Sequence, residues 1–375
     1  LQPKRSFTVK LDEKARFLGM SKSKNWTLIS NYEDKSLLRN YLAAYLSEMV
    51  AGAEYTMKAR PVDLWLNGQY YGNYLLMEKI EIEGDRVDIT DYKDALEANG
   101  GAVPAADQVG YLLEFDSHVM EKDAGTDHVV SLDPNRWREY GWSRIGPAYY
   151  NPETDETFFQ IPIGGKWVTI KKPSTKNLTP EMVRYICDVV TSAANSLLSG
   201  NYRAIEERID VRSFVKWYLI EEFMNNTDSS MHSSVYMTLD VGGKLKLGPV
   251  WDFDRSSGNC DYWNAEGSPD SLYSSGAGWF RPLFQTKQAR DILREEWASF
   301  KAGIEDLDLL IEDWADMIYR SQELNFRIWP ILEMDVGANS NEVVAAQTFE
   351  AQIKWLKTFL ADRTVRLDQF YRTIG

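Results

Sequence analysis

Two acidic segments in the second half of this chain have the residue types and spacing for work on phosphates. The first is Asp228, in Asn225-Asn226-Thr227-Asp228-Ser229-Ser230, where a helical pattern ends. The second is Trp251-Asp252-Phe253-Asp254, which continues an alternating segment. Between them lie two β-rich runs, 234–239 and 244–250, joined across Gly242-Gly243. Two such runs around a Gly-Gly pair read as a hairpin. A carboxylate in the loop before a hairpin and one at its far end can converge on one cation, and Mg²⁺ prefers oxygen ligands. Phosphoryl transfer asks for little more: carboxylates to hold metal and orient a hydroxyl, cations to hold phosphate. A loop Asp alone is more often a cap or turn residue, so Asp228 gains its weight from the neighbouring motif. Asp252 and Asp254 stand two apart on an extended segment, which predicts opposite faces. Asp252 is the first choice of metal ligand, with Asp254 as an alternative ligand or a partner of Arg255.

The order of helix, loop Asp, hairpin and Asp-Phe dipeptide is the one protein kinases use. It sends the search for phosphate and base contacts upstream. Lys10 ends the alternating run Ser6-Phe7-Thr8-Val9-Lys10 and could reach phosphates, with Lys4 a competitor. Its plain alternative is a solvated lysine guarding a strand edge. Arg39, in Leu37-Leu38-Arg39-Asn40, is flanked by apolar positions. A partly buried arginine takes a carboxylate or phosphate partner. Met77-Glu78-Lys79 closes a strand where kinases place their adenine-reading hinge, and an ordinary strand end fits equally well. Trp251, beside Asp252, joins the nucleotide-binding candidates.

These residues need elements to position them. Residues 36–50 have apolar positions three and four apart behind Asp34 or Ser36 as N-cap, which predicts a helix. Asn67-Gly68 between β-rich runs predicts a second hairpin, and strands are expected at 110–116 and 166–172. Residues 92–108 and 117–157 read as long loops or an insertion. Helices are expected at about 180–199, 202–209, 211–226, 286–303, 305–327 and 341–373, with Thr179-Pro180 and Asp210 as starts. The Gly/Ser/Asp/Trp-rich stretch 255–281 reads as an irregular loop beside the acidic residues. The expected fold class is α+β in two lobes. Residues 1–90 form a small strand-rich lobe with one helix, 91–178 an insertion whose strands continue the site, and 179–375 a helical lobe carrying Asp228, the hairpin and Asp252.

With 375 residues and 44% hydrophobic content the chain can build a large core. The net charge of −14 argues against a broad nucleic-acid footprint. No apolar run is long enough to span a membrane. Two cysteines, Cys187 and Cys260, make neither a disulfide framework nor a thiolate metal site. His118, His128 and His232 show no ligand spacing. Thirteen Trp and 20 Tyr keep a sugar-binding reading open.

Several segments together resemble the spore-coat protein H (CotH) kinase family. They are Lys4–Lys10, Asn25-Trp26-Thr27-Leu28 leading to Asn31-Tyr32-Glu33-Asp34, Ser36–Asn40, Leu64-Trp65-Leu66-Asn67-Gly68 with Tyr71–Glu78, Tyr111–Asp116, and Gly248–Asp254. The resemblance implies an atypical protein kinase-like fold that binds ATP and Mg²⁺ (or Mn²⁺) and phosphorylates Ser or Thr of a protein substrate. It implies Asp228 and Asp252 as the acidic active-site positions and, on a truncated motif, Lys10. It also implies an extracytoplasmic setting: spore coat, cell surface or secreted. The chain departs from the family at Met231-His232-Ser233-Ser234, where many members carry Arg or Lys. The rival expectations are an inactive scaffold module of the same family and a carbohydrate-active protein, whose paired carboxyls would flank a sugar.

Overall fold

The computed structural model describes residues 2–123, 129–229, 231–260, 268–272, 278–337 and 339–374. It is a mixed α/β structure of antiparallel sheets and, among the described residues, eleven α-helices. The first sheet contains β1 (Phe7–Ala15), β2 (Ser23–Ile29), β3 (Ala59–Leu66) and β4 (Gln69–Glu78), in the order β1-β2-β4-β3. The β3–β4 turn is Asn67-Gly68, with φ of 51° and 80°. Left-handed geometry at both positions is what the Asn-Gly pair supplies at low cost. Between β2 and β3 runs α1 (Arg39–Tyr45), which passes into a π-helical turn over Leu46–Val50. The predicted 36–50 helix is therefore an α-helix only over its middle. Asp34 holds its start, accepting from the N–H groups of Ser36 and Arg39.

Beyond α2 (Tyr92–Ala98), a second sheet is built from β5 (Tyr111–Phe115), β8 (Ser143–Ile145), β9 (Ala148–Asn151), β10 (Glu156–Gln160), β11 (Trp167–Lys172), β12 (Val235–Leu239) and β13 (Lys246–Leu247). Its order is β13-β12-β5-β11-β10-β9-β8, and β6 (Glu121–Asp123) with β7 (Val129–Ser131) forms a separate ribbon. Regions expected as loops, 92–108 and 117–157, thus carry a helix and several short strands. Strands of three or four residues leave too few alternations to be read from sequence. The predicted hairpin (β12–β13) is the edge of this sheet, and β12 pairs with β5 from Val235↔Phe115 to Leu239↔Tyr111. That pairing joins the 91–178 region to the loop carrying Asp228.

The remaining helices are α3 (Pro180–Ser199), α4 (Tyr202–Glu206), α5 (Val211–Met224), α6 (Phe280–Leu283), α7 (Lys287–Gly303), α8 (Leu307–Met317), α9 (Tyr319–Ile328), α10 (Asn341–Ala345) and α11 (Phe349–Thr373). Thr179 and Asp210 cap α3 and α5 through their side-chain oxygens, a contribution of about 1 kcal/mol each. One main core joins the second sheet to these helices, with Leu113, Val168 and Met237 beside Ile186, Phe214 and Phe359. Cys187 lies within it. Trp26, Trp142, Trp167, Trp217, Trp279, Trp297 and Trp314 are buried, so much of the tryptophan richness goes into packing rather than into an exposed sugar platform.

Helix α9 lies against β4 and fastens the first sheet to the helical part. Asn325 Oδ1 accepts from the Asn73 N–H at 3.1 Å, and Trp329 Nε1 donates to the Tyr71 carbonyl at 2.8 Å. The approach is close enough to exclude any side chain at Gly72. A Cβ there would stand 2.7 Å from Asn325 Oδ1 and 3.1 Å from Trp329 Nε1, at a φ of +128°. Gly72→Ala should therefore destabilise the protein by about 1–3 kcal/mol, read as a lower urea midpoint with unchanged slope.

Candidate active site

The two acidic segments come together at the join between the first sheet and the helical part. Helix α5 ends at Asn225 in the left-handed conformation (φ 47°), which turns the chain into the Asp228 loop. Of the ten described non-glycine residues with positive φ, five lie in these two loops: Asn225, Met231, Ser234, Asp252 and Ser257. Backbone strain of this kind persists only where neighbouring contacts impose it. At Asp252 (φ 69°) it overturns the expected alternation. Asp252 and Asp254 do not sit on a plain extended strand, and each lies within the other's electrostatic field.

Hydrogen bonds hold both loops from behind. Ser234 Oγ donates to Asp252 Oδ2 at 3.1 Å, Asn226 Nδ2 to the Asp252 carbonyl at 3.2 Å, and the Phe253 N–H to Asn40 Oδ1 at 2.8 Å. Arg255 pairs with Glu33 at 2.6 Å and stands 3.8 Å from Asp228. The carboxylates crowd one another. Asp252 keeps an exposed side chain, and the surrounding protein and then the charge of Asp228 raise its pKa, with Ser234 and Arg255 acting the other way. Burial, Asp252 and Glu33 push Asp254 well above the usual carboxylate range.

Beneath the loop lies Glu221, buried on α5, whose Oε2 accepts from Ser229 Oγ at 2.6 Å. Burial lifts its pKa to about 8, against the Ser229 hydrogen bond. Sequence reading passed over Glu221 and Asn226. The Asn225-Asn226 pair was a visible signal, but nothing local marks a glutamate inside a helix as buried.

The residues fit a divalent cation. Asp228 and Asp252 repel each other, and Asn226 Oδ1 is buried with no hydrogen-bond partner beside the Asp252 main chain. These are hard oxygen donors, the set Mg²⁺ takes. Among the described residues no three His, Cys, Asp or Glu side chains form a closed ligand group. Such an open donor set suits Mg²⁺, which keeps several waters and takes oxygens from substrate phosphates.

The cations expected at phosphates are placed less uniformly. Arg39 is fully buried and committed: Nε donates to the Ser256 carbonyl at 2.9 Å, Nη2 to the Ser257 carbonyl at 3.2 Å, and Nη1 pairs with Asp34. It is a clasp for the Asp252 loop, withheld from any ligand. Lys10 is exposed on β1, an edge strand, and makes no ion pair with the described carboxylates. Lys4 is buried with its ammonium on the Ser30 and Asn73 carbonyls, and burial lowers its pKa to about 7.

The expected hinge also looks different in place. Strand β4 lies between β2 and β3, so the main chain at Met77 and Glu78 is spent in ladders on both sides. The Glu78 carboxylate accepts from the N–H groups of Ser21 and Lys58. Lys79 follows the strand and is partly exposed. Trp251 packs under this sheet against the cluster containing Met77 and Leu75, tying the Asp252 segment to the end of β4. Cavities of about 470 and 540 Å³ lie among α7, α8 and α11 and beside α3, and none of these carboxylates lines them. His128 and the 261–267 and 273–277 parts of the expected loop lie outside the described residues.

One family model, described as CotH kinase protein, matches residues 1–367. No curated protein matches the chain.

The geometry sets two expectations. Arg39→Met strands Asp34 without its partner in the interior, which costs about 3–5 kcal/mol and should appear as a lower melting temperature. Glu221 concerns pH. An acid whose pKa rises from 4.5 to about 8 on folding contributes stability below pH 4.5 that is lost as pH climbs to 8. In metal-free buffer Glu221→Gln should match the wild type near pH 5 and exceed it by a few kcal/mol above pH 8. Parallel stability curves for the two proteins would refute the buried, protonated Glu221.

Proposed function

We propose that this chain, which belongs to the CotH kinase protein family, is an ATP-dependent protein kinase of two-lobed, kinase-like architecture that phosphorylates Ser or Thr of a protein. The observation that carries the reading is the convergence of Asp228 and Asp252 beside Arg255 at the join of the first sheet and the helical part. Few other arrangements would hold two mutually repelling carboxylates and an unsatisfied amide oxygen so firmly.

In this reading Asp252, with Asn226 and Asp228 at hand, holds Mg²⁺ or Mn²⁺. The bound metal supplies charge neutralisation at the nucleotide phosphates. Asp228, half-exposed at the mouth, orients the acceptor hydroxyl and takes its proton. Arg255, 3.8 Å away, helps direct Asp228. The adenine binds at the end of β4 beyond Glu78, near Lys79 and Trp251. Lys10 would have to swing in from its edge strand to meet phosphate. Among the described residues no helix is long and apolar enough to cross a membrane, and the family's association with the spore coat motivates an extracytoplasmic setting for this chain.

Calorimetric titration with ATP tests the assignment. Binding should require Mg²⁺ or Mn²⁺ and fall at least about tenfold in Asp252→Ala, while that variant keeps the wild-type fold by circular dichroism. Undiminished ATP binding in Asp252→Ala would remove the nucleotide from this site. Folded wild type that binds no nucleotide would support the scaffold alternative.

A further inference from the structure

A second group of side chains lies within the field of Asp228. Strands β12, β5 and β11 are neighbours, and their registers bring Val235, Phe115 and Val168 level at one end of the sheet. The segments leaving that end carry His232, His118 and Lys166. The Ser117 N–H donates to the His232 carbonyl at 2.8 Å, which locks two of these segments together. Lys166 Nζ lies 3.5 Å from His232 Nδ1, and the rings of His118 and His232 meet edge to face with centroids 5.7 Å apart.

The charges there are distinct from those at Asp252. Glu121 pairs with His118 at 2.5 Å and lies 3.9 Å from His232, and the Asp116 carboxylate accepts from the His118 N–H. Both imidazoles feel Asp228, while Asp252 is not among their main influences. Lys166 makes no ion pair with any described carboxylate, although half of its environment is protein, and that burial lowers its pKa. A half-buried ammonium whose described neighbour is an imidazole is short of an anion. The loop Met231-His232-Ser233-Ser234 carries no Arg or Lys, and Lys166 reaches His232 from the β10–β11 turn.

Resting on the kinase reading, we propose that Lys166, His232 and His118 form an acceptor-side subsite. It takes an anionic side chain, carboxylate or phosphorylated serine, next to the hydroxyl that Asp228 activates. In the kinase reading the nucleotide and metal occupy Asp252, which leaves the His118–His232–Lys166 group beside Asp228 for the acceptor peptide. Lys166 supplies the charge and the imidazoles supply flanking N–H donors. Glu121 holds His118 in place.

The test needs no nucleotide. Three synthetic peptides would be titrated at fixed pH: Ala-Ala-Ser-Glu-Ala, the same with phosphoserine for Glu, and the same with Gln. Imidazole signals are assigned through His118→Gln and His232→Gln. The Glu or phosphoserine peptide should shift both signals and the Gln peptide should not, and the two anionic peptides report which source is preferred. Lys166→Met should weaken that binding about tenfold or more, with Lys166→Arg largely restoring it and Mg²⁺-dependent ATP binding unchanged in both. Equal binding of all three peptides, failure of the anionic ones to bind, or undiminished binding by a folded Lys166→Met protein would overturn the subsite. Intact ATP binding in the same samples would leave the kinase reading standing. Anionic-peptide binding without any ATP binding would sink the kinase reading instead.

Discussion

The site depends on one buried cation, the guanidinium of Arg39. It reaches across from the first helix to the carbonyls of Ser256 and Ser257 while its charge is met by Asp34. Removing such a group from water is costly, and only complete hydrogen bonding in fixed geometry recovers the loss. The contact therefore tolerates little displacement. It couples the N-terminal region, more than 200 residues earlier in the chain, to the segment carrying Asp252. Asn40, one residue along the same helix, adds a hydrogen bond from the Phe253 N–H. A helix that looks like lobe packing is in effect the frame for one carboxylate.

The other carboxylate is framed from the helical side. Asn225 ends α5 in a left-handed turn, Ser229 reaches back to Glu221, and Asn226 spans to the Asp252 carbonyl. Helix α11 backs this up, since its buried Arg363 pairs with Glu222 on α5. With both loops fixed, electrostatic repulsion between Asp228 and Asp252 has no route of relief through movement. It shows as a raised pKa at Asp252. Arg255 offsets part of the repulsion and is itself held by Glu33.

Much of the secondary structure was legible locally. The β3–β4 turn, the start of α3 at Thr179-Pro180 and the cap at Asp210 are set by turn and cap chemistry within a few residues. The short strands of 143–160 were not legible, because they are strands only by virtue of pairing with β11 and one another. The same limit applied to the cations. Lys10, Arg39 and the Met77–Lys79 segment all have suitable types, yet a side chain's availability depends on partners far away in sequence. Arg39 turned out to be consumed by carbonyls from residues 256 and 257, and the strand end by ladders on both flanks.

The sequence by itself determined the longer helices, the Asn67-Gly68 and Gly242-Gly243 hairpins and the order of Asp228, hairpin and Asp252. It also fixed the family, because ordered motifs of neighbouring residues carry that information. Tertiary structure alone decided which charges meet. It placed Lys166 beside His232 in a loop without Arg or Lys, raised the pKa of Glu221 by burying it, and turned Arg39 from a candidate ligand into a clasp. Coulombic and desolvation effects depend on separation in space and on exclusion of water, and neither quantity is written in the spacing along a chain.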